Sequence, residues 1–136
     1  MDRSAARKRL RVTRLVGVAV AIGVVMSACS DESPRSGPGT MTATLTSPNG
    51  AEGAAVVVLL QGGLEGFTAV GDVEMYAEVG AASSRVVLVH PSGGDLAFRL
   101  AVPDTTQPPA WVIEQVAGPD DELRADVTRY TVEFAR

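Results

Sequence analysis

The sequence predicts an all-β domain, a two-sheet sandwich of about seven strands, carried behind a cleaved N-terminal segment and a flexible tether. Three observations lead there. Apolar residues recur with period two in successive segments from Met41 onward. Clusters of glycine, proline, asparagine and aspartate interrupt them at short intervals. No stretch beyond residue 40 carries a convincing helical period.

The chain opens with MDRSAARKRLRVTR, in which Arg3, Arg7, Lys8, Arg9, Arg11 and Arg14 face one acid, Asp2. Residues 15–26, LVGVAVAIGVVM, follow without a charge. A basic start, a short apolar run and small residues after it make a secretory signal peptide. A spanning helix needs about 20 apolar residues, more than this run supplies. Met26-Ser27-Ala28-Cys29 resembles the bacterial lipobox, with methionine where leucine is usual. The resemblance implies diacylglyceryl attachment to the sulfur of Cys29, cleavage between Ala28 and Cys29, and frequent acylation of the new amino terminus. Two other fates stay open for this segment: ordinary cleavage leaving Cys29 as a free thiol, or retention as an uncut anchor. Two or three acyl chains, at about 0.8 kcal/mol per buried CH₂, hold a protein to a membrane durably where one does not. Residues 1–28 are therefore expected as signal peptide, 29–40 as lipidated cysteine and disordered linker, and 41–136 as the sandwich.

The linker SDESPRSGPGT, residues 30–40, has no large apolar side chain. Fully extended it reaches at most about 35–40 Å, and as a random coil roughly 18 Å. MTATLTSP (41–48) then alternates Met41, Ala43 and Leu45 with threonines, and PNG makes a turn. AAVVVLL (54–60) is continuously apolar and reads as a strand buried on both faces. FTAVGDVEMYAEV (67–79) reads as one strand with Val73, Met75, Ala77 and Val79 on one side, Gly71 marking a bulge or the strand's start. SRVVLVHP (84–91) is halted by Pro91 and SGG turns the chain. DLAFRLAVP (95–103) places Leu96, Phe98, Leu100 and Val102 on one face. After a proline-rich loop come WVIEQVA (111–117), the turn GPDDE, and RYTVEFAR (129–136) with Tyr130, Val132 and Phe134 alternating inward. ELRAD (122–126) has room for one helical turn. Seven short strands at this spacing point to an immunoglobulin-like sandwich.

The segments LTSPNGAEGAAVVVLL, RVVLVH, LAFRLAVPD, VIEQVAG and YTVEF resemble a group of uncharacterised small bacterial lipoproteins, in which a lipobox and short linker precede one such domain. Their order is also similar to cohesin-like sandwiches, which bind protein partners. No partner-binding residue can be matched, so the resemblance implies fold and compartment and no ligand.

Charge narrows the function further. From Cys29 on the chain carries six arginines, no lysine and fifteen acids, a net of −9 against −4 for the whole sequence. That excludes the basic surface that nucleic acid requires, and electrostatic attachment to anionic lipid. With Cys29 as the single cysteine, no intramolecular disulfide can form.

Candidate chemistry is sparse. His90 is the sole histidine; Ser92 lies two residues on, without a GxSxG elbow. Zinc finds too few ligands, and no cofactor is implied. Asp120, Asp121, Glu122 and Asp126 form an acidic turn without EF-hand spacing, its calcium binding left open. Glu74, Glu78 and Glu114 raise the paired carboxylates of a glycosidase, but acids alternating with apolar residues also describe a wet sheet face. Gly62-Gly63 and Gly93-Gly94 are turn glycines. Trp111, the sole tryptophan, is expected partly buried. The expectation is a non-enzymatic envelope lipoprotein, lipid-anchored on the extracytoplasmic side of a membrane. It would bind a protein or glycan, or alternatively serve as an accessory subunit of a larger envelope complex.

Overall fold

A computed structural model describes residues 35–136. Cys29, Ala28 and the signal segment lie outside the described residues. Eight strands follow in order: β1 (Gly39–Thr46), β2 (Glu52–Leu59), β3 (Glu65–Ala69), β4 (Glu74–Val79), β5 (Ser84–Gly94), β6 (Ala97–Val102), β7 (Trp111–Ala117) and β8 (Thr131–Ala135). They form two antiparallel four-stranded sheets, ordered β3-β6-β1-β8 and β4-β5-β2-β7. The described domain is all-β, and ELRAD forms no helical turn. Among the described residues no helix is long and apolar enough to cross a membrane.

The neighbours β4-β5-β2 and β3-β6 are those of strands D-E-B and C-F in a constant-type immunoglobulin domain. The two remaining places are exchanged. β1 lies beside β6 where strand G would be, and β7 lies beside β2 where strand A would be. The strand that follows the linker is thus central in its sheet, hydrogen-bonded to both β6 and β8. It begins two residues before Met41, with Gly39 opposite Val102.

The core lies between the sheets and is built as the alternation requires. Met41, Ala43 and Leu45 from β1, Phe98, Leu100 and Val102 from β6, and Val132 from β8 face Ala55, Val57 and Leu59 from β2, Val86 and Leu88 from β5, and Ile113 and Val116 from β7. Leu64, Val73, Leu96 and Tyr130 close it from the connections. Phe67 stacks on Phe98 with ring centroids 6.2 Å apart. Each such Leu, Val or Phe contributes about 1.5–3 kcal/mol on leaving water. The buried Ser84 hydroxyl donates to the Gln61 carbonyl oxygen at 3.2 Å, so its burial carries no unpaired donor.

Three sequence expectations need correction. Residues 67–79 are two strands in different sheets, since β3 pairs with β6 and β4 with β5. Gly71, at φ +65°, turns the chain between them, a conformation that glycine adopts without steric cost. Val79, expected inside, is 47% exposed on the edge strand β4. Next, Pro91 does not halt its strand. Ala54 pairs with Val89 and Glu52 with Gly94, so His90 to Gly93 bulge outward opposite the single residue Gly53. A bulge tolerates proline because its missing N–H is not needed by the ladder. Finally, β2 is covered on one side alone. Ala55, Val57 and Leu59 are at most 2% exposed, whereas Ala54, Val56 and Val58 point the other way and stay half-buried.

Candidate interaction surface

The outer faces of the two sheets differ in chemistry. On the β3-β6-β1-β8 sheet, Thr68, Arg99 and Thr42 stand in one row, and Thr44 stands opposite Glu133 and Thr46 opposite Thr131. With the small side chains of Ala97, Ala101 and Ala135 between them, hydroxyls and charges dominate that face, as on a solvated sheet surface. On the β4-β5-β2-β7 sheet, register aligns three rows of a different kind. Glu74, Val89, Ala54 and Ala117 form one; Tyr76, Val87, Val56 and Gln115 the next; Glu78, Arg85, Val58 and Val112 the third. Valines fill the centre, and Tyr76 at 63%, Val112 at 46% and Leu123 at 67% exposure extend the apolar area to both edges. Leu123 reaches this face because it bridges Ala117 at the rim of β7. A shallow apolar depression of about 70 Å³ runs between Val56, Val87, Ala117 and Leu123.

Carboxylates border this face. Glu74 and Glu78 alternate with Tyr76 on β4. Glu114 sits at the irregularity where β7 slips register against β2 and accepts a hydrogen bond from Arg85. Arg85 also stands directly opposite Glu78 in the strand register. These three side chains, with Val58, Gly80 and Ser83, line a hollow of about 290 Å³. The carboxylates considered for sugar chemistry are thus gathered on one face, but Glu114 is engaged by Arg85 and the face is open.

The sequence reading missed a second polar cluster, around Glu52. This carboxylate is 1% exposed. Its Oε1 accepts from Ser47 Oγ and from the Tyr130 hydroxyl, each at 2.6 Å. Its Oε2 accepts from Arg124 Nε at 3.0 Å, and the Nη2 of the same guanidinium completes an ion pair at 3.0 Å. Asn49 Nδ2 donates to the Tyr130 oxygen at 2.7 Å. Burial pushes the Glu52 carboxyl up, but the hydrogen bonds from Ser47, Tyr130 and Arg124, with the arginine's charge, outweigh it and hold the group below the usual glutamate value. A hollow of about 330 Å³, lined in part by Thr44, Ser47, Gly50 and Asp95, opens beside it. Both Glu52 oxygens are occupied, so the cluster ties the turn after β1, the start of β2 and the segment before β8 together.

The remaining candidates lie in the β5 bulge, the turn after β7 and the start of β7. His90 lies half-buried in the β5 bulge with its ring against Gly94, while Ser92 is exposed at the bulge tip. His90 Nδ1 is buried and makes no hydrogen bond among the described residues. Asp126 accepts from the Thr128 N–H at 2.8 Å, which spends it on the local turn. Asp121 adopts φ 63° in a turn whose backbone bonds run from Asp121 N to Gly118 O and from Gly118 N to Glu122 O. Among the described residues no three His, Cys, Asp or Glu side chains gather into a group able to hold a metal ion. Trp111 packs partly buried against the core.

The linker end is held by its own contacts. Asp104 Oδ1 accepts from Gly37 N at 3.3 Å and from Thr106 N and Oγ1 at 2.9 and 2.6 Å. Thr105 N donates to the Gly37 carbonyl at 2.9 Å. The Thr106 bonds, then those from Gly37 and the charge of Arg136, keep the Asp104 carboxyl below its ordinary value.

No protein-family model matches the chain, and comparison with curated proteins and with solved structures finds no match.

Proposed function

We propose that the chain is a lipid-anchored protein of the bacterial cell envelope, held on the extracytoplasmic side of a membrane by acyl chains on Cys29. Its sandwich is a non-catalytic binding module. The observation that carries the binding role is the contrast between the two outer faces. A single domain that solvates one sheet with threonines builds the other from Val56, Val58, Val87, Val89, Tyr76, Val112 and Leu123. Contiguous exposed apolar area of this sort marks an interaction site. The address rests on the lipobox-like Met26-Ser27-Ala28-Cys29 behind a basic, then apolar, start. It accords with a domain whose first strand begins ten residues after Cys29, at Gly39.

Cell fractionation with mass spectrometry tests the reading. The wild-type chain is expected in the membrane fraction, beginning at an acylated Cys29, and Cys29→Ala should move it out of that fraction or stall its processing. A mature protein with a free thiol at Cys29, or one retaining residues 1–28, overturns the anchor.

A further inference from the structure

We propose that the outer face of the β4-β5-β2-β7 sheet docks a cationic partner protein, through a segment that presents aliphatic side chains flanked by lysine or arginine. The proposal rests on the binding-module reading and names the chemistry of what is bound. Its apolar half follows from the three aligned rows. Val87, Val56 and Val58 occupy their centre, and β2 has a valine-rich sequence suited to burial on both sides with one side covered. Tyr76, exposed at the edge, is the residue type that anchors interfaces most often.

The charge of the partner follows from the rim. Glu74, Glu78 and Glu114 stand against one guanidinium, Arg85, which already pairs with Glu114. A lysine or arginine entering the hollow of about 290 Å³ meets two carboxylates, Glu78 and Glu114, against the single guanidinium of Arg85 on its walls, which leaves a net negative charge there. A second copy of the chain fits poorly, because two such faces in contact bring six carboxylates to two guanidiniums, and like charges juxtaposed across an interface are costly. An anionic membrane surface is disfavoured by the same rim and by the net charge of −9 from Cys29 onward.

The experiment places a photo-crosslinking amino acid at Tyr76 or Val112 in the full chain, expressed in bacterial cells. Thr42 and Thr131, on the outer face of the other sheet, serve as controls. Tyr76 and Val112 are expected to crosslink to a protein peptide carrying lysine or arginine beside aliphatic residues. Loss of rim charge in the double variant Glu74→Lys, Glu78→Lys should lower the yield roughly five-fold or more, with its melting curve showing that the domain still folds. Crosslinks to a second copy of the chain, to lipid, or to an acidic peptide overturn the proposal. Crosslinks from Thr42 and Thr131 alone overturn it while leaving the binding-module reading intact. No crosslink from any of the four positions overturns both.

Discussion

Glu52 shows how a single residue decides the fate of one end of the domain. A carboxylate 1% exposed survives burial because three hydrogen-bond donors and the charge of Arg124 reach its two oxygens. Removing Arg124 leaves the buried Glu52 charge uncompensated, so Arg124→Ala should destabilise the domain more than the loss of any one neutral donor does. Tyr130→Phe, which removes the bond to Glu52 and the one from Asn49 but keeps the ring, should cost less, about 1.5–2 kcal/mol. Denaturant unfolding measures both, and equal effects would refute the dominance of the ion pair. The pH dependence has a definite sign. Because the Glu52 carboxyl is held below its ordinary value of 4.5, its contribution is fully present above that pH and is lost as pH falls through the folded-state value. Wild type should therefore lose stability below about pH 4.5 more steeply than Glu52→Gln. Nothing in the sequence marked this cluster, since Arg124, bonded to β7 in one sheet, and Tyr130, just before β8 in the other, meet Ser47 and Glu52 where the chain crosses from β1 to β2, and not through any local spacing.

Among the elements, alternation was the legible part. Met41, Ala43 and Leu45, then Leu96, Phe98, Leu100 and Val102, and Tyr130, Val132 and Phe134 all face inward as read. The failure at residues 67–79 has a physical reason. Phe67, Ala69, Val73 and Met75 keep the same parity across the turn at Gly71, so the hydrophobic pattern runs on while the chain changes sheets. The sole local signal was Gly71-Asp72, a turn pair inside an apolar-periodic run. If the turn requires φ +65° at Gly71, Gly71→Val should cost about 1–2 kcal/mol through left-handed backbone strain, with Gly71→Asn costing less. Gly62→Ala tests a different constraint. A Cβ there would fall 1.9 Å from the Ala81 carbonyl oxygen, so the two connections at the end of β2 and β4 must separate. Its cost should be at least that of overpacking, about 1–3 kcal/mol. Urea midpoints for the three variants give the order, and a tolerated Gly62→Ala would refute the close approach.

At the scale of the whole molecule, charge and surface chemistry act against each other. Fifteen acids against six arginines from Cys29 onward repel one another in the compact state, and that repulsion is long-ranged at low salt. The apolar outer face of the β4-β5-β2-β7 sheet favours association, and its acidic rim selects which associations are allowed. The two terms separate experimentally because salt screens the first and leaves hydrophobic burial intact. Raising sodium chloride from about 10 mM to 0.5 M shortens the Debye length from about 30 Å to a few Å. The melting temperature should then rise by several degrees, corresponding to roughly 1 kcal/mol in a domain of this size. The buried Glu52–Arg124 pair is shielded from solvent ions at its carboxylate end, so it should offset little of that gain. The variant Glu74→Lys, Glu78→Lys, which lowers the negative charge by four, should show a smaller salt-dependent rise. A melting temperature that falls with salt would mean that favourable ion pairs, and not net repulsion, dominate the electrostatics of the fold.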